Sequence, residues 1–336
     1  NKLGQRAAKW MTDNRGIVVA ATALPASFVF EQARVGRDIL YARFGASPEK
    51  HEERVREVQA QVRAWNAAGA ERPMCTARPP WLTMSTRSST YKQDCNQIEV
   101  DLRDILEVDT DRMVVRVEPL VNMGQLSRYL VPMGYALKVM VEMEDLTAGG
   151  LSMGLGMETT CHRYGLLQET VVAYEIVTAD GSLQRVTCES DPELFHALPW
   201  SHGTLGFLVA LELEIERVKP YIRMKYVPCH SMKELCDKTY ALSVADDAPE
   251  FLEATIYSKD SGVIMCGWYD DAPADRSKIN PINRWHKPFF FRHVETALQR
   301  GEFEDWLPLR DFYHRHTRSI FWELEELMPF SGKPWW

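Results

Sequence analysis

The amino-acid sequence predicts an α+β protein, because helical and strand patterns occupy different segments of the chain and no internal repeat links them. Residues 51–67 place apolar side chains three and four positions apart, which is typical of an amphipathic helix. Residues 207–218 alternate apolar and charged side chains, which is typical of a β-strand. The length of 336 residues, at roughly 150 residues per domain, favours two domains.

The first half of the chain contains two further strand signals and one helix signal. Short strands are predicted at 98–102 and 113–118, joined by a turn through 109–111. Residues 123–133 suit a helix that Gly134 closes, because glycine readily adopts the left-handed conformation of a helix C-cap.

The second half begins with a buried strand at 171–178, and the sequence Ala179-Asp180-Gly181 after it signals a hairpin turn. Helix and strand signals alternate again over 221–268, which indicates a second lobe. Within 207–218 the alternation places one set of side chains on one face of the strand and the glutamates on the other: Phe207, Val209, Leu211, Leu213 and Ile215 against Glu212, Glu214 and Glu216.

Glycines are concentrated in the segment 147–165, which has five glycines in 19 residues. Glycine allows the backbone to approach a ligand closely and to turn several N–H groups toward an anion such as a pyrophosphate. The dinucleotide fingerprint is incomplete, because Thr159 follows Gly154 and Gly156 where a third glycine would stand. The alternative is that these glycines only permit turns. A second glycine turn, Gly203–Phe207, leads directly into the predicted strand and favours a ligand site.

Composition excludes some functions. The formal net charge of -8 argues against a nucleic-acid partner, because nucleic-acid-binding surfaces are basic. The seven cysteines are odd in number and include no C-x-x-C pair, so they fit neither a disulfide framework nor a zinc module. Reduced thiols in a cytosol-like compartment are the better interpretation.

One long apolar run, residues 17–30, lies between Arg15 and Glu31. It is shorter than the ~20 residues that a helix needs to cross a bilayer, and Pro25 breaks or kinks a helix. Three interpretations stay open: a membrane-surface or re-entrant anchor, a segment that packs on a partner subunit, or an ordinary buried helix.

An ordered series of motifs over about residues 70–220 resembles the FAD-binding domain of the vanillyl-alcohol-oxidase/p-cresol-methylhydroxylase superfamily. Within it, the chain is most similar to the delta-24 sterol reductase family, and this likeness begins at 51–56 and covers nearly the whole chain. The superfamily motifs are Ile98–Leu102, Val115–Gly124, Leu146–Gly150, Tyr164–Gly165, Tyr174–Gly181, Asp191–Phe195 and Gly203–Phe207, and the reductase-like strings are Ile105–Thr110, Pro199–Val209 and Tyr313–Leu324.

The resemblance implies a bound FAD. A first phosphate loop would be Cys75–Thr83, although Ala77 and Pro80 stand where the family has glycines, and Pro80 also removes an N–H donor. This loop holds no histidine, so a non-covalent flavin is expected. The residues to which the resemblance assigns flavin contacts are Thr147, Gly149, Gly150, Gly154, Gly156, Tyr164, Gly165, Gly203, Thr204, Gly206 and Phe207.

The resemblance also implies a reaction, the reduction of the C24 double bond of a sterol side chain with NADPH as the electron donor. An isolated alkene has no carbonyl to polarise, so a proton donor must lie beside it. The candidates are Tyr313, His314, His316 and Glu323, since histidine titrates near neutral pH. The alternative is that these histidines form a structural cluster with Arg315 and Arg318. No metal site is expected, because the histidines lack a third ligand at helical spacing.

We expect the chain to consist of three parts. Residues 1–50 form a membrane-associated or partner-docking segment, 51–220 a two-lobed FAD-binding domain, and 221–336 an incomplete α+β substrate (cap) domain, so we expect the chain to be part of a longer one. The location implied is the endoplasmic reticulum membrane, with the domain facing the cytosol. Two alternatives stay open: a non-catalytic relative that serves as an accessory subunit of a larger assembly, such as a mitochondrial membrane complex, and another oxidoreductase of the superfamily, such as an aldonolactone oxidase.

Overall fold

The structure is a computed structural model that describes residues 39–79, 82 and 90–318, together with residues 10, 29, 30, 32, 33 and 35–37. The chain divides into two compact units. The middle unit is Ala46–Val218, and the C-terminal unit combines Lys219–Trp336 with Asn1–Gly45. Both units contain helices and antiparallel strands, which confirms the predicted α+β class.

The middle unit begins with a long helix, α1 (His51–Ala67), as the apolar spacing predicts. Val55, Val58 and Val62 fall on one face of α1 and are buried. This face packs into a core cluster with Ile98, Leu102, Val177 and Val209. Burial of such an apolar stripe supplies most of the stability of a surface helix.

Antiparallel strands form the main sheet of the middle unit. Two short parallel strands, β1 and β2, lie apart from it. In the sheet, β3, β4, β8, β6 and β7 are neighbours in that order, and β5 pairs with β8. The strands are β1 (Met74–Thr76), β2 (Asn96–Ile98), β3 (Ile105–Asp109), β4 (Val114–Val117), β5 (Tyr135–Leu137), β6 (Val171–Val177), β7 (Leu183–Val186) and β8 (Phe207–Arg217).

The predicted strand at 98–102 is wrong. β2 ends at Ile98, and the next strand to pair with β4 is β3. Residues 102–104 are instead bonded irregularly to the chain after β4, since Leu102 O accepts from Leu120 N and Asp104 O from Glu118 N, both over 2.9 Å. The predicted start at Met113 is also one residue early, because Met113 has a φ of 57°.

Two other predictions for this unit, a helix and a turn, are confirmed. The helix predicted over 123–133 is α2 (Met123–Leu130) followed by a 3-10 turn, and Gly134 closes it with a φ of 83°. The turn at 179–181 connects β6 to β7, and Gly181 has a φ of 80°. Asn122 and Gln125 form a reciprocal capping box at the start of α2.

β8 forms as predicted and pairs with β4 and β6 at its two edges, but burial extends to both of its faces over residues 208–213. Glu212 is buried, and its carboxylate accepts from Arg185 over 2.7 Å and Arg112 over 2.9 Å. Burial would raise the pKa of Glu212, but the bonds to the two guanidinium groups outweigh it and lower this pKa.

The C-terminal unit has a second antiparallel sheet, in the order β10, β11, β9 and β12. Its strands are β9 (Tyr221–Cys229), β10 (Phe251–Ser258), β11 (Ser261–Asp270) and β12 (Phe303–Pro308). A helix between β9 and β10 packs Leu235 against Val227, Cys229, Ile264 and Cys266.

The other helices with both ends among the described residues contain 4 to 12 residues. In chain order they are α3 (Ala148–Met153), α4 (Cys161–Tyr164), α5 (Pro192–Ala197), α6 (Met232–Ser243), α7 (Phe290–Glu295), α8 (Ala297–Arg300) and α9 (Leu309–Tyr313). Short 3-10 turns lie at Pro48–Lys50, Tyr91–Asp94, Val131–Met133, Leu167–Thr170 and Arg276–Lys278, and a π-helical turn at Tyr41–Gly45.

Among the described residues, no helix combines the length and the apolar character that crossing a bilayer requires. Of the predicted anchor at 17–30, only Val29 and Phe30 belong to the described residues, and both are exposed.

Candidate functional site

The structure brings the two glycine-rich segments together at one place in the middle unit. The backbone N–H of His202 donates to the carbonyl oxygen of Met153 over 2.9 Å. The hydroxyl of Ser201 donates to the sulfur of Met153 over 3.3 Å. The turn before β8 therefore lies against the end of α3, and a ligand can touch both segments.

α3 begins directly after Thr147, whose hydroxyl accepts from Gly150 N over 3.3 Å and so caps the helix. Gly149 lies on the buried side, and its N–H donates to Pro119 O over 2.9 Å. A Cβ added to Gly149 would lie 2.6 Å from Cβ of Pro119. Gly149 is therefore needed for close packing, whereas Gly150 is exposed.

Gly154 and Gly156 are buried and are held by one side chain. The amide of Gln168 donates to Gly154 O over 2.6 Å and accepts from Gly156 N over 3.2 Å. A Cβ on Gly156 would lie 2.7 Å from Cβ of Leu167. These contacts with buried residues fix the conformation of the loop at 154–156. The N–H of Gly156 is hydrogen-bonded to Gln168 within the protein.

Tyr164 and Gly165 end α4. The hydroxyl of Tyr164 donates to Glu216 on β8 over 2.7 Å, and the ammonium of Lys138 lies 5.3 Å from the centre of its ring. Gly165 has a φ of 73°, and a Cβ there would overlap the Glu169 carboxylate. Only glycine fits this position.

The turn that precedes β8 is strained. Trp200 and His202 have φ values of 65° and 50°, followed by 76° at Gly203. A left-handed conformation costs a non-glycine residue about 1 kcal/mol or more, and such strain is concentrated at ligand sites. The hydroxyl of Thr204 donates to Ser201 O over 2.7 Å and closes the turn. Gly206 then leads into Phe207 on β8, and a Cβ on Gly206 would lie 3.0 Å from the carbonyl oxygen of Val177.

Thr159 stands where the dinucleotide fingerprint would have its third glycine, and the structure shows a second feature of this residue. Its side-chain hydroxyl is buried and has no partner among the residues that the structure describes. A buried polar atom of this kind costs free energy unless a ligand or water bonds to it. Nearby on the chain, Leu155 and Met157 are exposed apolar side chains, and Trp200 and Leu205 are exposed in the strained turn. An exposed glycine turn, exposed apolar side chains and an unfilled hydroxyl fit a bound flavin nucleotide.

The sequence-predicted proton donors lie in the C-terminal unit. Tyr313, His314 and His316 are all buried, and the hydroxyls of Tyr313 and Tyr269 are 2.9 Å apart. The carbonyl oxygen of His314 accepts from the Asn283 amide over 3.3 Å. Glu323 lies outside the described residues.

Arg315 and His316 converge on Glu253 of β10. An Arg315 nitrogen lies 3.0 Å and His316 Nε2 lies 3.9 Å from the Glu253 carboxylate. Burial would raise the pKa of Glu253, but these two neighbours offset it and lower the pKa to about 2. These contacts favour the structural interpretation of Arg315 and His316, while the catalytic roles stay predictions. Arg318, the other arginine of the suggested cluster, donates to Ile282, Trp285 and Lys287 carbonyl oxygens instead.

Sequence reasoning missed a polar network in the same unit. Buried Asp305 on β12 accepts from the Tyr226 hydroxyl over 3.0 Å and the Asn280 amide over 2.9 Å, and its carboxylate lies 2.8 Å from His293 Nε2. Burial and the Asp305 charge raise the pKa of Tyr226 well above its usual value. The four residues come from distant segments, and the only sequence signal was the abundance of histidines and aromatics after residue 280.

Comparison with known proteins supports the flavin interpretation. Residues 53–187 match the family described as the FAD binding domain. The chain is 45% identical to the delta(24)-sterol reductase of Homo sapiens and 44% identical to that of Mus musculus, each over 321 residues. The enzyme of Arabidopsis thaliana is 41% identical over 305 residues, which cover 87% of this chain and 54% of that protein.

The chain spans 62% of the length of the human and mouse relatives, whereas they match 95% of it. This match confirms the resemblance inferred from the motifs. FAD is the cofactor of the matched domain. Over 95% of its length the chain is thus similar to the delta(24)-sterol reductases, and its residues 53–187 match the FAD-binding domain of the vanillyl-alcohol-oxidase/p-cresol-methylhydroxylase superfamily.

Proposed function

We propose that this chain is part of an FAD-dependent sterol reductase that reduces the side-chain C24 double bond with NADPH as electron donor. The observation that carries the proposal is the 45% identity to the human delta(24)-sterol reductase over 95% of the chain. The likeness therefore includes the C-terminal unit as well as the FAD-binding domain. Identity in both units favours the same substrate class, a sterol.

In this proposal the flavin is non-covalent and contacts the two joined glycine segments. Thr147 and Gly150 at the start of α3, the Thr159 hydroxyl, and Gly203 and Thr204 in the strained turn would hold it. Gly149, Gly154, Gly156, Gly165 and Gly206 would act by shaping these segments, since a Cβ at each would lie 3.0 Å or less from its neighbours. Tyr164 and Phe207 would support the segments through β8.

The chain's own contribution to catalysis is to position the flavin, exclude water and supply a proton. The bound flavin supplies hydride transfer. Tyr313, His314, His316 and Glu323 remain our candidates for the proton donor. Among the three described candidates, Tyr313 has a second hydroxyl beside it that can return a proton, since its own hydroxyl is 2.9 Å from that of Tyr269.

A second candidate function is that of a non-catalytic accessory subunit in a larger assembly. Ala77 favours it, because the resembling loop of the family has glycine there and Ala77 N already donates to Ile98 O over 2.8 Å. Pro80, the other departure, lies outside the described residues. The membrane location and the anchoring role of residues 17–30 belong to the reductase proposal, because a sterol is dissolved in membranes. The endoplasmic reticulum is the first expectation, and a mitochondrial membrane complex accompanies the accessory-subunit alternative.

The experiment is to purify the protein, record its flavin absorbance and follow NADPH oxidation when a delta-24 sterol is supplied. The reductase proposal expects stoichiometric flavin and a product with a saturated side chain, identified by mass spectrometry. A matched sterol that already has a saturated side chain controls for oxidation of NADPH by oxygen. A colourless protein would reject the reductase and support the accessory-subunit function.

A further inference from the structure

A cavity of about 360 Å³ lies within the C-terminal unit, beside β12 and the segment that leads to α7. Three cationic side chains line it, Lys278, Lys287 and Arg300. Lys278 and Arg300 are exposed, and Lys287 is half-buried. The size is at the lower end for small-molecule sites, which occupy about 300–1,000 Å³. It suits a phosphate with its adjoining sugar better than a whole dinucleotide.

The positive charge of these side chains is not balanced by ion pairs. Within the part of the chain that the structure describes, none of the three cations lies within 4.0 Å of a carboxylate, and the nearest charge interaction is that of Lys278 with the exposed Asp275. Lys278 and Arg300 contact ring faces instead, at 5.5 Å from the centre of Trp306 and 4.0 Å from that of Phe303. The chain as a whole carries a net charge of -8, so this cluster of cations is a local feature.

The two carboxylates that line the cavity, Glu304 and Asp305, already interact with other residues of the protein. Glu304 lies 3.6 Å from Arg223. Asp305 is surrounded by the hydroxyl of Tyr226, the amide of Asn280 and the ring of His293. His293 also lines the cavity, and its Nε2 is committed to this network. Its other ring nitrogen has no hydrogen-bond partner among the described residues, so it can bond to a ligand.

We propose that this cavity binds the 2′-phosphate of NADPH, the group that distinguishes it from NADH. This inference rests on the proposed function for the identity of the nucleotide. Lysine ammonium groups bind phosphate as point charges, and arginine provides a planar fork of donors that matches two phosphate oxygens. Asp305 acts as a positioning residue, because it fixes the ring of His293.

The direct test is isothermal titration of the full chain with adenosine 2′,5′-bisphosphate, with adenosine 5′-phosphate and inorganic phosphate as the comparison probes. The proposal expects the bisphosphate to bind at least about tenfold more tightly than either, since one hydrogen bond to a charged group contributes about that factor. Equal affinity for inorganic phosphate would overturn the nucleotide assignment. No binding of the bisphosphate would overturn the site.

Substitution of each of the three lining cations tests whether the bisphosphate binds in this cavity. Lys278→Gln, Lys287→Gln and Arg300→Gln each remove one cation without opening a cavity in the core, and each is expected to weaken bisphosphate binding about tenfold. Lys259→Gln removes an exposed cation of the same unit beyond the cavity lining and should leave the affinity unchanged. Unchanged affinity in all three cavity variants would contradict the proposal.

The cavity variants and the flavin experiment together distinguish a failure of the phosphate site from a failure of the reductase proposal. A colourless protein whose bisphosphate affinity falls in the three variants would retain the phosphate site and reject the reductase. A flavoprotein that reduces a delta-24 sterol, with a KM for NADPH that is the same in the variants, would retain the reductase and reject the site.

Discussion

The backbone N–H of His202 donates to the carbonyl oxygen of Met153 over 2.9 Å and joins the two glycine segments of the middle unit. Met153 and His202 are almost fifty residues apart in sequence, and their contact joins the end of α3 to the turn before β8. β8, which follows the turn at 200–206, anchors it, and Gln168 shapes the loop after Met153. The candidate flavin site therefore depends on packing inside the middle unit as much as on the glycines themselves.

Substitutions at two adjacent threonines, Thr159 and Thr160, distinguish an effect on flavin binding from an effect on stability. Thr159→Val removes the buried hydroxyl that has no partner among the described residues. We expect the flavin-free protein to be as stable as before or more so, because an unsatisfied hydroxyl is lost, and its flavin affinity to fall about tenfold. Fluorescence titration of the flavin-free protein with FAD measures this affinity, and urea denaturation measures the stability.

The matched control is Thr160→Val. Its hydroxyl donates to the carbonyl oxygen of Lys138 over 2.8 Å, so its loss should destabilise the protein by about 1 kcal/mol. An equal loss of stability in the two variants would show that the Thr159 hydroxyl has a partner within the protein.

Gly149→Ala should destabilise the middle unit by about 1–3 kcal/mol, because the new Cβ would lie 2.6 Å from Pro119 and overpack a buried contact. Gly150→Ala is the control one residue later, since Gly150 is exposed and the nearest atom to a Cβ there is the side-chain oxygen of Thr147. The change in urea midpoint is the measurement. A midpoint for Gly149→Ala that matches Gly150→Ala would contradict the close packing.

Glu118 holds the start of α1 to the main sheet. Its fully buried carboxylate lies 2.8 Å from His51 Nδ1 and 3.1 Å from Arg54, and accepts from Asp104 N over 2.7 Å. Glu118→Ala should cost about 3–5 kcal/mol, because it removes one of the two carboxylates that pair with Arg54 and leaves the His51 ring nitrogen and the Asp104 N–H without their acceptor. Glu52→Ala, on the same helix, removes an exposed ion pair with Arg56 and should cost less than about 1 kcal/mol. Thermal unfolding monitored by circular dichroism compares the two variants, and equal losses would refute the anchoring role.

The pKa of Glu253 predicts an acid dependence of stability. Burial would raise its pKa, but Arg315 and His316 together lower it from 4.5 to about 2 in the folded protein, so these two contacts stabilise the protein fully above pH 4.5. This contribution of about 3 kcal/mol is lost as the pH falls toward 2, because the carboxylate becomes protonated. Denaturant titrations across this range should show a shallower pH slope for Glu253→Gln than for the natural protein. Asp246→Asn, which removes an exposed carboxylate of the same unit, should keep the natural slope, and an unaltered slope in Glu253→Gln would be inconsistent with the ion pair.

Elements with strong local patterns could be predicted from the sequence. The spacing of Val55, Val58 and Val62 defined α1, and the alternation from Phe207 defined β8, because each pattern matches the period of one secondary structure. The prediction of a strand at 98–102 failed, because Ile98 is the last residue of β2, whereas Leu102 is buried in the core cluster with α1 without belonging to a strand. An alternating pattern reports burial on one face, and it does not show where the backbone hydrogen bonds go.

The candidate site was predicted only in part. The glycine segments were visible because glycine has a distinct backbone role, and the structure shows which glycines pack and which lie exposed. Thr159 gave no signal, since an unfilled hydroxyl is a property of its surroundings. The Asp305 network gave none either, because Tyr226 and Asp305 meet only through the pairing of β9 with β12. Long-range register of this kind is not encoded in local spacing.

We propose that this chain belongs to a flavin-dependent sterol reductase, and the redox cycle of its flavin distinguishes this function from an accessory role. The flavin absorbance of the purified protein is followed without oxygen, first on addition of NADPH and then on addition of a delta-24 sterol. We expect NADPH to bleach the flavin and the sterol to restore its absorbance. A protein without flavin absorbance, or a bleached flavin that the sterol leaves reduced, would contradict it.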